Sequence, residues 1–276
     1  MTITLGIFIT VFFLAFFCEY IDSAFGMGYG TILTPVLLIM GFTPAVVVPA
    51  ILLSQATGGF AASIFHHKLD NLEISKTSKD FKISVLISLT GIFATVFAAV
   101  VAINISPIFL KTYIGILVIS MGLILLTKMK FKFSWNRMLI LSLVSSFNKG
   151  ISGGGFGPLI TAGQVVSGQK VKNAVGVTVF TEIPICLTGA FTYFFMNAMR
   201  SFDGSIMKTP FNEFIFAFFA KNYFSWELIL ALCLGSIIVA PFGALTTSIF
   251  EEKYFRKILG IIITLLGSYM LIKTYM

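Results

Sequence analysis

Apolar residues run along this chain in long blocks separated by short polar stretches, and the blocks set the element order. A first span is predicted over residues 3–23. A glycine cluster at 26–30 breaks it, a short helix over 31–40 ends at Gly41, and Pro44 opens a long helix to about residue 65. A polar loop over 66–80 precedes spans over 81–103 and 107–127. A second set follows: a span from 138 to a glycine cluster at 150–157, a short helix to 166, a turn at Gly168, a long helix over 171–196, and spans over 226–250 and 255–273. Apolar runs of this length without strand-like alternation predict membrane-spanning helices and exclude an outer-membrane barrel. The short helix has about ten residues, which at 1.5 Å per residue cannot cross a hydrocarbon core of ~30 Å alone. It must be tilted, or start part-way through the membrane at the break.

The second set repeats the first. At an offset of 127, Gly26, Gly28 and Gly30 fall on Gly153, Gly155 and Gly157, Tyr29 on Phe156, Thr34 on Thr161, Gly41 on Gly168 and Ser54 on Thr181. The last two spans align at an offset of 145, which places Lys111 on Arg256, Gly115 on Gly260, Gly122 on Gly267 and Lys128 on Lys273. The change of offset matches an insertion at 200–225 that has no counterpart in the first half. The chain reads as one membrane domain, 1–276, built from repeat 1 (1–127) and repeat 2 (128–276), with the insertion extracytoplasmic. The predicted fold is an all-α integral membrane protein of two inverted-topology repeats, each with five membrane passes and a helix broken at a glycine-rich motif. An odd number of passes is what inverts the second copy. Were the short helices re-entrant, each half would have four passes and the halves would run parallel.

Composition and charge agree with this. Only 11% of the residues are charged, against about a quarter in a soluble protein, and the mean hydropathy is +0.99, so no sizeable soluble domain remains. The formal net charge of +8 sits in short loops, where it sets orientation and does not point to nucleic acid. With the acid-free loop 128–137 inside, the cytoplasmic loops hold Lys68, Lys76, Lys79, Lys82, Lys128, Lys130, Lys132, Arg137, Lys170, Lys172, Lys253, Arg256 and Lys257, thirteen of the nineteen basic residues. Lys111, Arg200, Lys208, Lys221 and Lys273 remain outside, and Lys149 lies within a span. Both termini are then extracytoplasmic in a multi-pass cell-membrane protein whose first span is not a removed signal. Cys18, Cys186 and Cys233 are scattered through apolar segments in neither a metal nor a disulfide pattern, and no cofactor is expected.

The chemistry gathers at the breaks. Glycine can leave helical geometry and admit another group close to the backbone, and in lipid a break survives only where protein or an aqueous cavity satisfies the freed polar groups. Helix N-termini at Thr31 and Pro158 would present N–H donors and the positive end of a helix dipole, a setting for an anion. Close helix packing through small residues is the competing reading. The substrate-binding candidates are Gly26, Gly28, Gly30, Thr31, Lys149, Ser152, Gly153, Gly154, Gly155 and Gly157. Lys149, costly within a span, either binds the anion or forms a structural salt bridge to Glu19 or Asp22. Glu19 and Asp22 share one face of the first span, one turn apart. With Gln55 and Glu182 they are the coupling or gating candidates; Glu182 is a proton carrier or a structural hydrogen-bonding group. Ser54, Thr178 and Thr181 either donate to an anion or bond back to their own helices. His66 and His67 point to different faces, which is poor metal geometry, and read as interfacial or weakly pH-sensing. No phosphate-binding glycine loop supports ATP drive, and no nucleophile–base pair suggests an enzyme.

Residues 22–31 (Asp-Ser-Ala-Phe-Gly-Met-Gly-Tyr-Gly-Thr), Pro35, the second motif at 150–158 and the His-Lys-Leu-Asp-Asn-Leu-Glu stretch at 67–73 resemble the TauE/SafE sulfite-exporter (anion permease) family. The resemblance extends through both repeats and implies transport of sulfite, sulfonates or related sulfur anions, with the glycine motifs forming the anion site. Glu19, Asp22 and the 200–225 insertion depart from the family pattern. The function expected is a secondary transporter or permease for a small sulfur oxyanion, such as sulfite or an organosulfonate, working by alternating access. A fixed-pore anion channel and a cation or metal transporter using the intramembrane carboxylates are the alternatives. The partners expected are the sulfur anion and membrane lipid, with no nucleic acid; a homo-oligomer is left open.

Overall fold

A computed structural model describes residues 3–127, 133–200, 213, 224–249 and 253–276, the last from 253 to 256 in backbone only. The basic stretch 128–132 and nearly all of the 200–225 insertion lie outside the described residues. The rest is helical: α1 (Leu5–Phe25), α2 (Tyr29–Ile39), α3 (Pro44–Lys68), α4 (Lys79–Asn104), α5 (Pro107–Leu126), α6 (Trp135–Ser152), α7 (Gly157–Val166), α8 (Val171–Arg200), α9 (Trp226–Thr247) and α10 (Lys253–Tyr275). Seven of these are long and apolar enough to cross a membrane, which defines an all-α multi-pass membrane protein. Large apolar side chains such as Phe13, Phe17, Phe93, Phe97, Ile116 and Leu265 stay exposed on the outside, the surface a bilayer covers. The short helices α2 and α7 are not among the seven, and neither is α6. Ser142, Ser145, Ser146, Asn148 and Lys149 lower the hydropathy of α6, and all five are buried.

The helix ends follow local chemistry. Thr4, Ser78, Ser106 and Ser225 accept N–H groups of the first turns of α1, α4, α5 and α9. Pro44, Pro107 and Pro158 stand in first turns, where a missing N–H leaves nothing unpaired. Both broken helices stop the same way. Gly26 (φ 67°) donates to the Asp22 carbonyl and Gly153 (φ 75°) to the Lys149 carbonyl, in a left-handed conformation that glycine adopts without a Cβ penalty.

The centre is formed by α3 and α8, whose most apolar stretches are each 67% buried, against 28% for α1 and α10. These two central helices cross antiparallel, with Leu52 against Gly189, Gln55 bonded to Glu182 and Gly59 against Val179. On one side α1, α3 and α9 run parallel: Gly235 lies on the Phe12 carbonyl, Gly243 on the Tyr20 carbonyl, and Ser236 Oγ donates to the Ser54 carbonyl. On the other side α4, α6 and α8 run parallel: Thr90 bonds Ser142, Thr95 donates to the Ser146 carbonyl, and Gly91 lies against Ile185. Since α1 and α3 share a direction, α2 carries the chain back between them. The same holds for α7 between α6 and α8. The short helices, of 11 and 10 residues, therefore run back against the direction of the helices that flank them.

The peripheral pair α5 and α10 crosses antiparallel through small residues, as close helix contacts in membranes do. Added Cβ atoms at Gly260 and Gly267 would lie 2.9 Å and 3.0 Å from the carbonyl oxygens of Gly122 and Gly115.

Candidate functional site

The two breaks meet back to back. A Cβ on Gly30 would overlap the Gly153 carbonyl oxygen, and one on Gly157 would overlap the Gly26 carbonyl oxygen. The contact is reciprocal at the sequence offset, since Gly30 pairs with Gly157 and Gly26 with Gly153. Hydrogen bonds lock the same junction: Thr34 Oγ1 donates to the Ser152 carbonyl at 2.9 Å and Thr161 Oγ1 to the Gly26 carbonyl at 2.8 Å. The Gly155 N–H reaches Thr31 Oγ1 at 3.1 Å, and the Gly154 N–H reaches Ser152 Oγ at 3.1 Å. The room beside Gly30, Gly154 and Gly157 is thus taken by backbone of the opposite break. Across the junction the Ser152 and Gly26 carbonyls and the Gly155 N–H are thus satisfied, as an interrupted helix in lipid requires of its freed groups.

Beside the junction lies a buried polar quartet of Asp22, Gln55, Lys149 and Glu182. Asp22 is 3% exposed and the other three 1%. Lys149 Nζ pairs with Glu182 Oε1 at 3.1 Å and donates to Gln55 Oε1. Gln55 Nε2 donates to Glu182 Oε2 at 2.7 Å and to Asp22 Oδ2 at 3.1 Å. Asp22 Oδ1 accepts the Tyr29 N–H at 3.2 Å, so its carboxylate sits on the first turn of α2. The four residues form two pairs at the offset of 127, Asp22 with Lys149 and Gln55 with Glu182. At the second break the position held by Asp22 in the first is a lysine, and among the described residues no carboxylate accepts an N–H at the start of α7 as Asp22 does at α2.

The structure brings most of the sequence candidates together, with three differences. The partner of Lys149 is Glu182, bridged by Gln55, and not Glu19 or Asp22. Lys149 is on α6, which faces α3 and α8, and the hydrogen bonds that link it to Asp22 on α1 run through Gln55. The N-termini begin at Tyr29 and Gly157, slightly ahead of Thr31 and Pro158, so Gly30 and Thr31 stand in the first turn of α2. Glu19 stands apart from the quartet. Its Oε2 is buried with no hydrogen-bond partner, and its carboxyl lies against Gly58 and Ser236.

His66 is not interfacial. It is fully buried, bonds the Ser23 carbonyl through Nε2 at 3.0 Å and faces Asn71 Nδ2 through Nδ1 at 3.3 Å, while Asn71 also donates to the Ala244 carbonyl. This clasp ties the ends of α1, α3 and α9 together. Asn71→Ala should destabilise the protein by about 1–3 kcal/mol, since it leaves buried acceptors unpaired; thermal unfolding in detergent reads this directly.

Other side chains complete the centre, of which Tyr113 and Tyr193 carried no sequence signal of their own. Tyr29 OH bonds Ser54 Oγ at 2.7 Å. Tyr113 OH donates to Asn148 Oδ1 at 2.6 Å, and Tyr193 OH to the Gly150 carbonyl at 2.8 Å. Thr178 takes a bond from Thr161. Among the described residues no group of three or more His, Cys, Asp or Glu is placed to hold a metal ion.

A multi-pass helical protein with interrupted helices meeting at a buried charged centre has the build of a membrane transporter. Residues 11–270 match the family described as sulfite exporter TauE/SafE, and the chain belongs to that family. Its members are transporters, linked to the export of sulfite and other sulfur compounds, and not enzymes. The chain is also similar to a Bacillus subtilis (strain 168) protein described as probable membrane transporter protein YtnM, at 21% identity over 275 residues, covering 95% of this chain and 82% of the relative. No solved structure matches it.

Proposed function

We propose that the protein is a secondary transporter for a small sulfur oxyanion, sulfite or an organosulfonate, that works by alternating access of two inverted repeats (1–127 and 128–276). The anion binds beside Lys149 at the start of α7. The observation that carries this reading is the exchange of Asp22 for Lys149 between two otherwise reciprocal breaks. At the first break a carboxylate of the chain lies on the N-terminal turn of α2. At the second that place has a lysine, and among the described residues no carboxylate takes the part that Asp22 takes at the first, so a substrate anion supplies the negative group there. Helix N–H donors, the dipole and the ammonium act together on it.

The helix directions support the repeat. Every helix pair related by the offsets runs in opposite directions: α1 and α6, α3 and α8, α4 and α9, and α5 and α10. Such an arrangement lets one half rock against the other around a fixed central site. A cavity of ≈ 260 Å³ lined by Thr43, Tyr193, Asn197 and Arg200 opens at the end of α8. Tyr193 spans from it to the Gly150 carbonyl, next to Lys149, which marks a route from that face.

The charge bias puts that face and both termini on the extracytoplasmic side. In a background lacking the native cysteines, a membrane-impermeant maleimide on intact cells should label Ser106→Cys and spare Ser134→Cys. Labelling of both, or only of Ser134→Cys, contradicts this topology. Binding is tested by thermal shift of the purified protein with sulfite, thiosulfate, sulfate and isethionate, because a ligand that binds the folded state stabilises it by mass action. A shift with none of the four contradicts the reading.

A further inference from the structure

In the closed centre Lys149 is already occupied. Its ammonium pairs with Glu182 at 3.1 Å, and Gln55 bonds both partners, so the three side chains close a ring. An anion that binds Lys149 must take the place of the Glu182 carboxylate. The displaced carboxylate then stays buried, since Glu182 is 1% exposed and sits mid-way along α8.

Among the described residues the surroundings offer it no second cation. The groups facing Glu182 are Glu19 and Asp22 from α1, Gln55 from α3, Lys149 from α6, and Cys186 on α8 itself. The next helix, α4, meets this part of α8 through Gly91 and Thr95. Three carboxyl groups therefore share one ammonium. Glu19 adds a buried carboxyl oxygen with no hydrogen-bond partner among the described residues. A buried charge stranded without a partner is strongly unfavourable, and a proton removes that charge with no rearrangement of helices.

We propose that Glu182 takes up one proton as the anion replaces it on Lys149, so the protein is a proton–anion symporter. The inference rests on the reading that the anion binds at Lys149, and it adds the coupling ion and its carrier. The exchange balances. The Lys149–Glu182 ion pair plus the anion and a proton gives a Lys149–anion pair plus neutral Glu182, and the charge of the closed centre is unchanged for a monovalent anion. Proton and anion favour each other's binding to the same extent, as linkage requires.

The test uses the purified full chain with isethionate and thiosulfate, anions that do not titrate near neutral pH. Binding is followed by calorimetry at one pH in two buffers of different protonation enthalpy. The expected result is a binding enthalpy that differs between buffers by the heat of about one proton taken up per anion. Glu182→Gln removes the group that must be protonated, so its binding enthalpy should be equal in the two buffers, and its affinity should lose the roughly tenfold fall per pH unit that one-proton coupling gives the native protein at alkaline pH. Equal enthalpies for the native protein overturn the symport while leaving the anion site standing. No binding of either probe overturns both. If Glu182→Gln folds poorly, the two-buffer comparison on the native protein decides alone.

Discussion

Lys149→Gln should yield little folded protein at neutral pH, and Lys149→Gln with Glu182→Gln should restore the yield without restoring anion binding. The single change leaves the Glu182 carboxylate buried with only Gln55 as donor. Removing one member of such a pair costs about 3–5 kcal/mol, a large share of a total stability of roughly 5–15 kcal/mol. Acidification should narrow the deficit, since a protonated Glu182 strands no charge. The double variant has two neutral amides beside Gln55, so the packing survives while the ammonium is lost. Yield and melting temperature measured with anion binding on the same preparations separate the two roles. A well-folded double variant that binds as the native protein does would remove Lys149 from the site.

Gly157→Ala and Gly30→Ala should be comparably damaging, for a steric reason. Each added methyl would overlap a backbone carbonyl of the opposite break, at Gly26 or at Gly153. Backbone on both sides cannot swing aside as a flexible side chain would. Overpacking typically costs about 1–3 kcal/mol and occasionally more, and here it also parts the junction that satisfies both breaks. Gly168→Ala is the control. Gly168 has φ 89° with nothing within 4 Å of an added Cβ, so only backbone strain of roughly 1–2 kcal/mol is expected. Monodisperse yield after detergent extraction should therefore collapse for the first two and fall mildly for the third. Equal behaviour of all three would contradict the back-to-back packing.

Much of this fold is legible in the sequence because lipid imposes simple rules. The predicted spans end within a few residues of the observed helices, and several boundaries are marked by a proline, a capping serine or a glycine. The status of α2 and α7 was not legible in that way. Whether a ten-residue helix returns or re-enters depends on the relative direction of its flanking helices, which only tertiary contacts such as Gly243 on Tyr20 and Ser236 on Ser54 fix. The extent of α6 was partly hidden too, because its buried serines dilute the apolar signal.

The site was legible as a set of residues and not as a network. An intramembrane lysine and three carboxylates stand out by cost alone, and all four lie buried near the junction. Their pairing was not apparent, because spacing along one helix gives a face and not a partner. One signal did exist. Gln55 and Glu182 are separated by the repeat offset, and residues so related on central helices that cross antiparallel can meet at the crossing point. Their 2.7 Å bond is that meeting. The glycines carry both readings at once: positive φ at Gly26 and Gly153 makes the breaks, while Gly30, Gly154 and Gly157 admit the opposite backbone.

The central claim is that an anion is carried at Lys149 by a centre that opens alternately to the two sides. Counterflow of radiolabelled sulfite tests it most directly, in vesicles preloaded with unlabelled sulfite and containing either the native protein or the Lys149→Gln/Glu182→Gln variant. A transient accumulation of label above equilibrium is expected for the native protein and none for the folded variant. Equilibration of label by the native protein without any overshoot, or an overshoot retained by the variant, would contradict it.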